Sequence, residues 1–68
     1  MRINRIKFVA ELTRQDMTQS KLSELSGVSR ATINFIKNGK SCSEKTGQKI
    51  AKALNVPVEN LIDMEGGD

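Results

Sequence analysis

Residues 18–40, TQSKLSELSGVSRATINFIKNGK, constrain the fold more than any other part of this 68-residue chain. Leu22 and Leu25 precede Gly27, and Val28, Ile33 and Ile36 follow it. This is the pattern of two short helices meeting at a glycine, the residue that tolerates the left-handed conformation in which helices commonly end. So short a gap cannot let the two helices lie antiparallel, so they must cross steeply. Thr18 is the expected N-cap of the first helix, over Gln19 to Ser26. Ser29 plays the same part for the second, because its hydroxyl can accept from an otherwise unpaired N–H one turn in. The second helix runs from Arg30 to Lys37, about 12 Å at 1.5 Å per residue. Asn38-Gly39 is a strong stop.

The remaining segments supply the rest of the core. Residues 2–15 place Ile3, Ile6, Val9 and Leu12 at spacings of three, with Phe8 beside them, which predicts an amphipathic first helix. Its outward positions include Arg2, Arg5, Lys7 and Arg14, cations that could reach a phosphate backbone or simply keep the helix solvated. Ser43 is a good N-cap for a further helix, and Glu44 near its start and Lys52 near its end suit the helix dipole. Gly47, Ile50, Ala53 and Leu54 form its buried stripe; the glycine costs about 1 kcal/mol against alanine unless close packing needs it. Asn55-Val56-Pro57 breaks that helix. Pro57 suits the entry to a fifth, in which Val58, Leu61 and Ile62 return to the core. The expected fold is all-α, a compact bundle of five short helices forming one domain over residues 1–63, followed by a flexible acidic tail, 64–68.

Composition narrows the chemistry. With one cysteine, Cys42, and no histidine, the chain offers neither an internal disulfide nor a Cys/His metal site. It has no glycine-rich phosphate loop and no carboxylate pair placed in a predictable cleft, so no enzymatic activity, cofactor or metal is expected. Cys42 lies in a serine-rich loop without a predicted base, and reads as a structural or incidental thiol. The absence of a membrane-length apolar run and of a signal-peptide h-region gives the expectation of a cytoplasmic protein with no membrane partner. The net charge of +3 is unevenly spread. Residues 1–54 hold eleven Lys/Arg against four acidic residues, a balance of +7, whereas residues 55–68 hold four acidic residues and no cation, a balance of −4. A basic body suits a protein that approaches phosphates, although an ordinary solvated surface would read the same way.

The second helix of the crossing pair exposes Arg30, Ala31, Asn34 and Phe35 opposite its Ile33/Ile36 stripe. A single α-helix fits the DNA major groove, where the leading residues of such a helix meet base edges. Arg30 can bond guanine O6 and N7 together, or serve as a phosphate contact or a free surface arginine. Ala31 and Thr32 offer methyl groups for thymine, or are small residues tolerated at a close approach. Asn34 can pair with adenine, or be merely solvated. Phe35 can meet thymine methyls, pack on the loop after Gly39, or face a partner subunit. Gln19, Lys37, Asn38 and Lys40 flank this helix and suit phosphates, which set register without reading sequence.

At these residues the sequence resembles the lambda-repressor-like helix-turn-helix family, also called the Cro/CI or XRE family. The shared pattern is Thr18-Gln19, Leu22-Ser23, Gly27-Val28-Ser29-Arg30, Thr32-Ile33, Ile36 and Asn38-Gly39-Lys40, then Ile50-Ala51-Lys52-Ala53-Leu54 and Leu61-Ile62. The resemblance implies a five-helix DNA-binding domain that acts as a dimer on palindromic operators. By position it places Arg30, Ala31, Thr32 and Phe35 at bases, and Gln19, Ser29, Asn38 and Lys40 at phosphates. Leu12 and Lys37 stand where many relatives pair an arginine with a glutamate. Ser23 stands where alanine is usual, and Ser26 where an apolar residue is usual.

The expectation is therefore a sequence-specific transcriptional regulator, a phage-type or mobile-element repressor. It would bind double-stranded DNA as a homodimer, weakly associated off DNA, and lie at the nucleoid when bound. Two alternatives stay open: a protein-interaction module on the same fold, and an antitoxin that represses its own operon.

Overall fold

The computed structural model describes residues 1–62; the expected tail, 64–68, lies outside them. Among the described residues four α-helices follow one another: α1 (Arg5–Arg14), α2 (Gln19–Ser26), α3 (Arg30–Lys37) and α4 (Glu44–Leu54). A short polar side chain opens each. Asn4 Oδ1 accepts from the Ile6 and Lys7 N–H groups, Thr18 from Lys21, Ser29 from Thr32 and Ser43 from Thr46, which satisfies donors that have no partner within the helix. Each helix also ends in a left-handed residue: Asp16, Gly27, Gly39 and Asn55. After α1 the Met17 N–H reaches Leu12 O at 2.9 Å and the Asp16 N–H reaches Thr13 O at 3.1 Å, and paired bonds of the same kind close α3 and α4. These are Schellman closures.

The core is one cluster: Ile3, Phe8, Leu12, Leu22, Val28, Ile33, Ile36, Ile50, Ala51, Leu54 and Leu61. The helix α2 packs on both α3 and α4, while α1 packs on α3. Gly47 is buried in the first half of α4, where a Cβ would require the flexible Met1 thioether to shift.

Three sequence expectations are corrected. The fifth helix is a single 3₁₀ turn, Val58–Asn60. Beyond it the Asn4 N–H bonds Leu61 O at 2.7 Å and Ile62 pairs with Ile3 in an isolated antiparallel bridge, so the apolar residues are held by the opposite end of the chain instead of by a further helical turn. The same pairing keeps residues 2–4 out of α1, which begins at Arg5. Phe8 and Leu12, one turn apart, become its inner face; Ile6, about 200° from Phe8 on the helix, is exposed, and Val9 is just exposed. Leu25 does not join the core either: it is 52% exposed, whereas Leu22 is fully buried.

Candidate nucleic-acid interface

The turn between α2 and α3 is held from both sides. Gly27 takes φ +75°, and its N–H returns to Ser23 O. Ser23 Oγ donates to Val28 O at 2.6 Å, and the Val28 N–H donates to Ser26 Oγ at 3.1 Å. The two serines that depart from the family pattern thus bond both backbone groups of the residue that seats the turn in the core. Val28, 7% exposed, fills the angle between the helices. The crossing of α2 and α3 is set by local hydrogen bonds as well as by packing.

That crossing turns the outer face of α3 to solvent. Arg30, Ala31, Asn34 and Phe35 are all exposed, Phe35 at 56%. At 100° per residue they fall within an arc of about 140°, opposite the fully buried Ile33 and Ile36. Thr32 lies at the margin of this arc and is half-buried. Its Oγ1 accepts the Ser29 hydroxyl proton at 2.9 Å, while Ser29 Oγ accepts from the Thr32 N–H. Both hydroxyls are thus engaged in capping α3, and a phosphate contact by Ser29 would require its hydroxyl to turn.

The surroundings are cationic. Between Glu24 and Glu44 the chain has no acidic residue, and Arg30, Lys37 and Lys40 lie in that interval. The side-chain ion pairs among the described residues are Arg14 with Glu11 and Lys21 with Glu24, which leaves those three cations unpaired within residues 1–62. Lys37, Asn38 and Lys40 are exposed at the C-terminal end of α3, and Gln19, half-buried, opens α2. In sequence Arg5 was one outward cation among four, and the tertiary structure distinguishes them. A Cβ on Gly39 would stand 3.9 Å from Arg5 Cδ, and Arg5 shares a shallow cleft with Ile6, Val9, Ala10, Lys37 and Asn38. A cation of α1 therefore joins the turn that follows α3. Lys7 instead donates to Ile62 O at 3.0 Å, and Arg14 is bound to Glu11.

Among the titratable groups, hydrogen bonds from Arg14 and then Gln15 hold the Glu11 carboxyl below its ordinary range. Burial pushes the Cys42 thiol up, which disfavours the reactive thiolate. Among the described residues no cluster of His, Cys, Asp or Glu could hold a metal ion, and no helix is long and apolar enough to cross a membrane.

A helix-turn-helix family model matches residues 10–61, from within α1 to the end of the described core. Over 52 residues, 74% of this chain, the sequence is 44% identical to an uncharacterized HTH-type transcriptional regulator of Bacillus subtilis (strain 168), RghRB. The match spans 37% of the length of that relative. No solved structure matches the chain.

Proposed function

Because this chain belongs to the XRE-type helix-turn-helix family, we propose that it is a sequence-specific DNA-binding transcriptional regulator, a repressor that places α3 in the major groove. The observation that carries this reading is the outer face of α3, with its exposed Arg30, Ala31, Asn34 and Phe35, in an interval without acidic residues. Arg30 reads guanine through two parallel hydrogen bonds, Asn34 reads adenine, and Ala31 and Phe35 meet thymine methyl groups. Thr32 contributes its methyl group at the margin. Gln19, Ser29, Lys37, Asn38 and Lys40 hold the phosphates on either side, with Arg5 as a further cation beside Gly39. These contacts fix register, and the base contacts supply sequence preference.

The operator in this reading is an inverted repeat bound by a homodimer. The described residues measure 33 × 22 × 19 Å and present one reading helix; two copies are needed to place two such helices about 34 to 36 Å apart, one turn of DNA. Selection of binding sites from a randomised duplex pool at about 0.15 M salt, where nonspecific attraction is screened, tests the reading. An inverted repeat is the expected product. Recovery of no motif, with binding that vanishes as salt rises, would discard sequence-specific readout and favour a protein-interaction role.

A further inference from the structure

A groove between the C-terminal end of α2 and the outer side of α4 has no part in the DNA-facing arrangement. Leu25, Ser26, Lys49, Lys52 and Ala53 line it, and its volume is about 520 Å³. Its apolar lining is Leu25, 52% exposed, and Ala53, half-buried. Its charged lining is Lys49 and Lys52. Lys49 and Lys52 stand three residues apart, with Lys45 four residues before Lys49, so the three share one face of α4. None of them makes an ion pair with a described residue. Glu24, next to Leu25 in the chain, is directed to Lys21 at 3.7 Å instead.

The charge and the apolar lining together select the occupant. DNA phosphates would meet the lysines but gain nothing from covering Leu25. A second copy docked by the same face would set its own Lys49 and Lys52 against these two. An acidic amphipathic helix satisfies both features, since carboxylates meet the lysines while an aliphatic or aromatic side chain covers Leu25 and Ala53. We propose that the α2/α4 groove is a docking site for an acidic amphipathic helix of a partner protein. Leu25 is the apolar anchor of this site, and Lys49 and Lys52 set its charge preference.

The test is a display selection of random peptides of roughly 16 residues, long enough for four helical turns, against the full chain. The expected product is a set of peptides with Asp or Glu spaced around Leu, Ile or Phe at three- and four-residue intervals. Their affinity should fall about tenfold or more on Leu25→Ser, and equally on the Lys49→Glu/Lys52→Glu double change. A peptide with its acidic residues changed to lysine should regain binding to the double variant. Circular dichroism melts check folding, and because the two sets of changes touch different exposed positions, loss of fold in one leaves the other to decide. Selection of no such peptide, or selected peptides that bind both variants as well as the parent, would overturn the proposal. So would a Leu25-dependent dimer in sedimentation, or duplex DNA binding that Leu25→Ser weakens as much as peptide binding. The proposal stands apart from the DNA reading, and binding-site selection can fail without affecting it.

Discussion

Arg30 occupies the first turn of α3, immediately after the Ser29 cap, the position from which a helix placed in the major groove would meet a base edge. Arg30→Ala should cost about 1 to 3 kcal/mol of discrimination at one base position of each half-site. Binding-site selection with the variant measures this, and an unchanged preference would remove base readout from Arg30 and leave it a phosphate contact. A second residue-scale consequence concerns acid. Glu11 accepts from Arg14 and from Gln15, whose amide also donates to Leu54 O at 2.7 Å and so ties α1 to the end of α4. Because the folded carboxyl lies below its ordinary value, it stabilises the fold above the unfolded value, about 4.3, and that contribution is lost as pH falls through the folded value. Glu11→Gln should therefore lower the melting temperature slightly at neutral pH, since the Arg14 side of the ion pair is open to solvent. The difference from the parent should close on acidification below about pH 4. Melts across that range decide it, and a gap that widened toward acid would contradict the assigned sign.

At the scale of the element, the α2–α3 turn depends on two serines that the family pattern does not lead one to expect. Ser23→Ala removes the hydrogen bond to Val28 O and should destabilise the domain by about 1 kcal/mol. Ser20→Ala, at an exposed position of the same helix, should stay within about 0.5 kcal/mol. Denaturant midpoints for the two variants make the comparison, and equal midpoints would show that Gly27 and Val28 alone set the turn. The helix ends follow a similar local logic. Asp16 at φ +54° and Asn55 at φ +60° serve where glycine is commonest, because short polar side chains tolerate the left-handed region better than others do.

For the whole molecule, the proposed interface makes a prediction about salt. Each phosphate neutralised on duplex DNA contributes about −0.9 to the slope of log K against log salt. Lys37→Ala and Lys40→Ala should each make the slope shallower by about that amount per protomer, while leaving the selected sequence unchanged. Affinity measured across a salt series checks both halves of the statement. A changed motif would move the lysine concerned from phosphate to base.

The sequence by itself determined the limits of α2, α3 and α4. Their caps at Thr18, Ser29 and Ser43 and their stops at Gly27, Asn38-Gly39 and Asn55-Val56-Pro57 are set among residues a few positions apart, and residue type announces them. The outward face of α3 was legible for the same reason: with Ile33 and Ile36 buried, helical period leaves Arg30, Ala31, Asn34 and Phe35 outside. Only the tertiary structure decided which side of α1 is buried, that Leu25 stays in solvent, that Arg5 lies against Gly39, and that the expected fifth helix is one 3₁₀ turn followed by Leu61 and Ile62 held against the start of the chain. Apolar residues at three- and four-residue spacing fit more than one helix face. The choice among them is made by contacts such as Ile3 with Ile62, between residues at opposite ends of the described chain, and no local pattern encodes such contacts.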